Sequence, residues 1–319
     1  MRESKRKSAR GLTAITQARE DRANGRSRWT MQAGFVAAAA VLGGLVTHKV
    51  VSDRELHTDR QALLAKQRAL ATTLGAEWFP LRDKLEAEVL GSAREYAGDL
   101  VDARARRGDF RSQPGLYLRM RLADAKDTAS IRAVASLARR DAFAACLLRE
   151  PNDGGARGDT GGGAFAEQPW NLGRAYASTR ILTDEWVREV QSADDDLRLR
   201  VFAQQYDKAV SEELPFAVEV VKRAKFFLLV LDEDVPEAAT PGDAGAQTVS
   251  EDSLQLVEHP ARVHLLDLIS GKEMLRVRRS GSARVVPAGE RVITDREMRD
   301  AMQRQANNCA LAARVLEDM

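Results

Sequence analysis

Few side chains in this sequence are of a kind that performs chemistry, and each stands in a pattern with a plainer explanation. His264 is the only histidine placed in a regular element of the body, where an imidazole suits acid–base work near neutral pH. No nucleophile elbow of the Gly-x-Ser-x-Gly type accompanies it, and a histidine on one strand face is ordinarily structural. Asp232, Glu233 and Asp234 are consecutive carboxylates that suggest Ca²⁺. An oxygen-ligand loop instead alternates its acids around a glycine, and these do not. Asp194, Asp195 and Asp196 also suggest a cation, yet acids at a helix start satisfy the positive end of its dipole equally well. The run GGARGDTGGGAF, residues 154–165, has the glycines of a phosphate cradle. It lacks the following Gly-Lys-Ser/Thr and the strand-to-helix setting, so it reads as a surface loop with an accidental Arg157-Gly158-Asp159. No catalytic residue, cofactor or metal site is assigned.

The two cysteines, Cys146 and Cys309, allow one intramolecular pairing. A bridge between them closes a loop of about 160 residues and contributes roughly 4 to 5 kcal/mol on the chain-entropy model. Two buried free thiols fit the apolar surroundings equally well.

The elements that must position these groups follow from periodicity. Leu116, Leu118, Met120 and Leu122 alternate with Tyr117, Arg119 and Arg121, which predicts a half-buried strand. Asp127 caps a helix carrying Ile131, Val134 and Ala138, and Phe143 to Leu148 reads as a second strand, giving a β-α-β unit. Thr183 caps another helix; residues 194–214 form a longer one facing Leu199, Phe202, Tyr206, Ala209 and Val210 inward; Pro215 opens a third. Lys225 to Leu231 is a continuous apolar run and predicts a central strand. Residues 263–278 alternate about Ser270-Gly271 and predict a β-hairpin. Its shape resembles a single propeller blade pair, but no second copy exists to build a propeller. Thr294 with Glu297 forms a capping box for the terminal helix, with Met298, Met302, Cys309, Ala313 and Leu316 on its inner stripe.

Ahead of this body the charge pattern changes. Trp29 to Thr47 carries no ionisable side chain, and as a helix it spans roughly 28 Å, close to a hydrocarbon core of about 30 Å. The four alanines Ala37 to Ala40 and the glycines Gly34, Gly43 and Gly44 make it a modest anchor. It ends without an Ala-x-Ala cleavage pattern, which argues against a cleaved signal. Residues 1–28 contain Arg2, Lys5, Arg6, Lys7, Arg10, Arg19, Arg22, Arg26 and Arg28 against three acids, whereas basic and acidic residues balance over 49–60. The positive-inside rule then puts the N-terminus in the cytoplasm. The leader has no aromatic residue to stack a base, so it reads as lying on anionic lipid instead of nucleic acid. Leu56, Leu63 and Leu70 fall seven apart and suggest weak self-association of a stalk that Pro80 breaks.

The expected architecture is an α+β protein: basic cytoplasmic tail 1–28, transmembrane helix 29–49, helical stalk 50–111, and an exported domain 112–319. That domain holds a mixed sheet, a β-α-β unit, a C-terminal hairpin and a terminal helix, with flexible loops at 150–173 and 232–253. The expected function is that of a single-pass inner-membrane scaffold or accessory subunit that meets another envelope protein and binds no nucleic acid or cofactor. The alternative is an anchored extracytoplasmic enzyme with its site near the two loops.

Overall fold

The computed structural model describes residues 54–138, 141–148, 169–234, 254–284 and 295–319. The expected tail and anchor lie outside these residues, as do 150–168 and 235–253 of the expected loops. Among the described residues no helix is long and apolar enough to cross a membrane. The described chain divides into two compact units, 54–63 with 193–199, and 64–192 with 200–319. In the smaller unit Arg60 donates to the Ala193 carbonyl, and the Asp195 carboxylate accepts from Arg198 N at 2.7 Å. Asp195 therefore serves as a helix cap, the plainer of the two readings of that acidic triplet.

The larger unit is built on a mixed six-stranded sheet. Its strands are β1 (Leu100–Val101), β2 (Gly115–Arg121), β3 (Trp170–Asn171), β4 (Phe226–Asp232), β5 (Pro260–Asp267) and β6 (Lys272–Ser280), in the order β1-β6-β5-β4-β2-β3. Strand β2 pairs in parallel with β3 and β4, and the remaining pairs are antiparallel. Strand β4, FFLLVLD, is buried along its whole length between β2 and β5. The β5–β6 hairpin turns at Gly271, whose φ of 66° suits glycine. Its N–H reaches the Asp267 carbonyl, and the Asp267 carboxylate accepts from Ile269 N and Ser270 N.

Strand β2 departs from the expected half-burial: all seven of its residues are buried. Its Tyr117 and Arg119 face is covered by α4 (Ala142–Leu148) and α9 (Arg296–Asp318), which pack with Phe226, Leu228, Val263, Leu265 and Val277 in one core. Alternation identified the strand but mistook its second face for solvent.

Residues 143–148 are that helix α4 and not a strand. The segment AFAACLL has no β-branched residue, and Asp141 accepts from Phe143 N at 2.9 Å to start it. Phe143, Ala144 and Leu147 then share the buried face at helical spacing. The β-α-β relation is made by other strands: β2, then α3 (Thr128–Ala135) capped by Asp127, then parallel β3 and β4. Across the α4–α9 contact Cys146 and Cys309 are joined in a disulfide, Cα–Cα 5.2 Å.

Helix α9 is rotated from the expected stripe. Met298 and Met302 are exposed, Ala313 is exposed, and Asn307, Asn308, Leu311, Ala312 and Val315 are buried. The cause is polar: both asparagines have partners inside, described below. Its cap within the described residues is Asp295, accepting from Glu297 N.

Helix α1 runs unbroken over 54–92, through Pro80. Proline forfeits one hydrogen bond to the carbonyl four residues back, and the burial of Trp78, Leu85 and Val89 around it offsets that loss. From Leu64 onward α1 belongs to the larger unit. Buried Glu86 accepts from Arg132 Nε and Nη2, both at 2.8 Å, and Trp78 meets the Tyr176 ring edge-on. Residues 64–111 thus belong to the larger unit. Leu63 and Leu70 are buried within this one chain.

The remaining helices are α5 (Gly173–Ser178), α6 (Asp184–Gln191), α7 (Asp196–Lys208) and α8 (Leu214–Arg223). Thr183 caps α6 by accepting from Trp186 N, and Pro215 lies in the first turn of α8. A π-helical turn, Ala209–Glu213, ends the expected 194–214 helix and joins α7 to α8.

Candidate functional site

Parallel strands in open α/β sheets present their C-terminal ends to ligand crevices, and here β2 and β4 end in Arg119, Arg121 and Asp232. Strand alternation turns Arg119 and Asp232 to the same face. Arg119 Nε and Nη2 donate to the two oxygens of Asp232 at 2.8 and 2.9 Å. Its Nη1 donates to Asp141 at 2.9 Å and to Asn308 Oδ1 at 2.7 Å. Tyr117 OH donates to the same Asp141 oxygen at 2.7 Å. Arg119 is 1% exposed and Asp232 fully enclosed.

His259 completes the cluster. Its Nε2 lies 2.9 Å from Asp232 Oδ1, and its Nδ1 lies 2.9 Å from the Val257 carbonyl. Both neighbours accept only, so both ring nitrogens donate and the ring is an imidazolium. Burial pulls the His259 pKa down, but the Asp232 carboxylate more than reverses this and leaves it raised. Burial likewise pushes the Asp232 carboxyl up, and the charge of Arg119 with hydrogen bonds from His259 and Arg119 holds it down at about 2. Two cations, Arg119 and His259, thus face two anions, Asp232 and Asp141, and the buried set is electrically closed.

The rim is closed in the same way. Asn308 Nδ2 donates to Gln255 Oε1 and Asn307 Nδ2 to the Gln255 carbonyl. Arg121 clasps Asp234 with two hydrogen bonds at 3.0 and 2.9 Å, and Glu233 accepts from Arg262 and Arg278. The three consecutive acids therefore face three different sets of arginines and do not converge on a cation. Among the described residues no group of His, Cys, Asp and Glu has metal-binding geometry.

His264 does not join this cluster. It pairs in register with Leu229 and Arg276, on the sheet face opposite Arg119, where its Nδ1 meets Glu273 Oε1 at 2.6 Å. Sequence reasoning singled out Asp232 and missed Arg119, Asp141, His259 and Asn308. One signal was present: a strand interior that alternates tyrosine and arginine against leucine cannot sit in a mostly buried sheet without acidic partners. A cavity of about 680 Å³ lies elsewhere in the larger unit, between Trp78, Arg132, Tyr176 and Arg188. Of its arginines, Arg132 is engaged by Glu86 and Arg180 by Glu189. No protein-family model, curated protein or solved structure matches the chain, so its chemistry is read from its own residues.

Proposed function

We propose that the protein is a non-enzymatic, membrane-anchored component of a cell envelope, a scaffold or accessory subunit that meets another envelope protein through its extracytoplasmic body. The observation that carries this reading is the closed Arg119, Asp232, His259 and Asp141 cluster. Among the described residues at the strand ends, Arg119, Asp232, His259 and Asp141 are each paired with another member of the cluster. The alternative, an anchored enzyme with its site near 150–173 and 232–253, would draw on His264 or on Asp232, Glu233 and Asp234; the three acids are paired with arginines or His259, and His264 Nδ1 with Glu273. Residues 29–47, uncharged and of spanning length, with the basic residues of 1–28 on one side, support the anchor and its orientation. A Cys146–Cys309 disulfide suits an oxidising compartment.

The test is protease treatment of spheroplasts with an intact inner membrane, followed with an antibody to residues beyond 253. Digestion of the body without detergent is expected. Protection until the membrane is dissolved would overturn both anchor orientation and envelope placement.

A further inference from the structure

The sheet face opposite the Arg119 cluster holds a second polar group that is not closed. His264 is 2% exposed, its Nδ1 is held by Glu273, and its Nε2 is buried with no hydrogen-bond partner. Buried ring nitrogens are normally satisfied, so an orphan calls for a partner from outside the chain. His264 lines a cavity of about 170 Å³ with Glu273 and Arg276 of β6 and with Glu88, Glu95 and Tyr96 at and beyond the end of α1.

The walls of this cavity are unbalanced in charge. Glu273 is shared between His264 and Arg276, whose Nη1 lies 3.4 Å from it, and Arg276 Nε is turned to the Gly98 carbonyl. Tyr96 is committed to Asp99. Neither Glu88 nor Glu95 has an ion-pair partner among the described residues. One cation thus stands against three carboxylates. With Nδ1 held by Glu273, Nε2 is the open position of the ring. The groups of the cavity left open among the described residues are therefore two carboxylates and one imidazole nitrogen.

The geometry points to a binding site for a small organic ammonium group, held by N–H donation to His264 Nε2 and charge pairing with Glu88 and Glu95. A bare metal ion is the poorer fit, because no metal-binding group of side chains converges there among the described residues. An alkylammonium has several N–H donors and reaches separated acceptors without requiring them to meet at one point. The same chemistry is offered by a free amine and by the end of a lysine side chain on a partner protein. This site is independent of the scaffold reading above.

The experiment is nitrogen-15 NMR of the histidine rings in the full-length protein in detergent micelles. The chain has four histidines, and His264→Gln assigns the relevant signal. Butylammonium chloride is the probe; sodium chloride and sodium butyrate are the controls. A saturable shift of the His264 ring signal with butylammonium alone is expected. In Glu88→Gln/Glu95→Gln the half-saturating concentration should rise at least tenfold with an unchanged thermal midpoint. If the double variant fails to fold, exposed Glu95→Gln alone gives the same comparison with a smaller rise. No saturable shift would mean that ordered water alone fills the cavity, and would overturn the proposal. So would an equal response to butyrate or sodium chloride, or undiminished binding by the glutamine variants. Saturation by Nα-acetyl-lysine methylamide as readily as by butylammonium would support a protein side chain as the source. Saturation by butylammonium alone would support a free amine.

Discussion

Replacing Asp232 by Asn tests whether the buried charge cluster is structural. Asp232 accepts from Arg119 Nε and Nη2 and from His259 Nε2. Asparagine offers one oxygen, and either orientation points its amide N–H groups at a donor of Arg119 or His259. Arg119, 1% exposed, keeps only Asp141 as counter-ion. Breaking one side of a buried pair costs about 3 to 5 kcal/mol, and the change should sit there. Urea unfolding at pH 7, followed by tryptophan fluorescence, should show a lower midpoint with an unchanged slope. The acid limb gives a second reading. Asp232 titrates at about 2 in the folded chain against an ordinary 3.8. A depressed carboxyl contributes stability that is present above 3.8 and lost as pH falls through 2, here about 2 kcal/mol; the variant should lack that slope. His259 works in the opposite sense: its pKa is raised, so its contribution is complete below about 6.5 and is lost as pH rises through the folded value. Arg119→Met with Asp232→Leu, which removes both charges, should lose less than the two single changes together. A loss below about 1 kcal/mol for Asp232→Asn, with the acid slope retained, would refute the idea that the cluster holds these elements together.

Reduction should be costly as well: the Cys146–Cys309 bridge has a sequence separation of 163, and dithiothreitol should lower stability by about 5 kcal/mol on the chain-entropy model, with thiol titration rising from none to both cysteines. Gly115→Ala places a Cβ 2.1 Å from Phe226 Cζ, deep in the core, and should cost about 1 to 3 kcal/mol in urea unfolding. Pro80→Ala restores a helical N–H at an exposed position of α1 and should raise the melting point through a gain of about 1 to 3 kcal/mol; a fall would show that the proline itself is required for packing.

The parts of the fold legible in the sequence are those set by local chemistry. The β5–β6 hairpin follows from alternation and a glycine turn, β4 from its unbroken apolar run, and the Asp127 and Thr183 caps from helix-start preferences. The misreadings share a cause, which is that tertiary packing overrode a local rule. Seven apolar residues at 142–148 carry no period long enough to separate helix from strand, and alanine content was the better guide. Pro80 reads as a break, yet the burial of Trp78, Leu85 and Val89 carries the helix through it. In α9 the apolar stripe of Met298 and Met302 is the wrong one, because Asn307 and Asn308 are drawn inward by Gln255 and Arg119. The Arg119 cluster itself joins residues 117, 119, 141, 232, 259 and 308. No local pattern links positions so far apart in the chain.

That distribution has a structural consequence. Ligand crevices in open α/β sheets lie at the ends of parallel strands. Here the chain fills the position with its own residues: Asp141 from the start of α4, Asn308 from α9 and His259 from the turn before β5. The cluster ties both helices of one face to the central strands, and the Cys146–Cys309 bridge ties those helices to each other. A fully satisfied buried network of this kind rigidifies the face that carries it. On the opposite face His264 Nε2 has no hydrogen-bond partner, and His264 lines a cavity with Glu88 and Glu95.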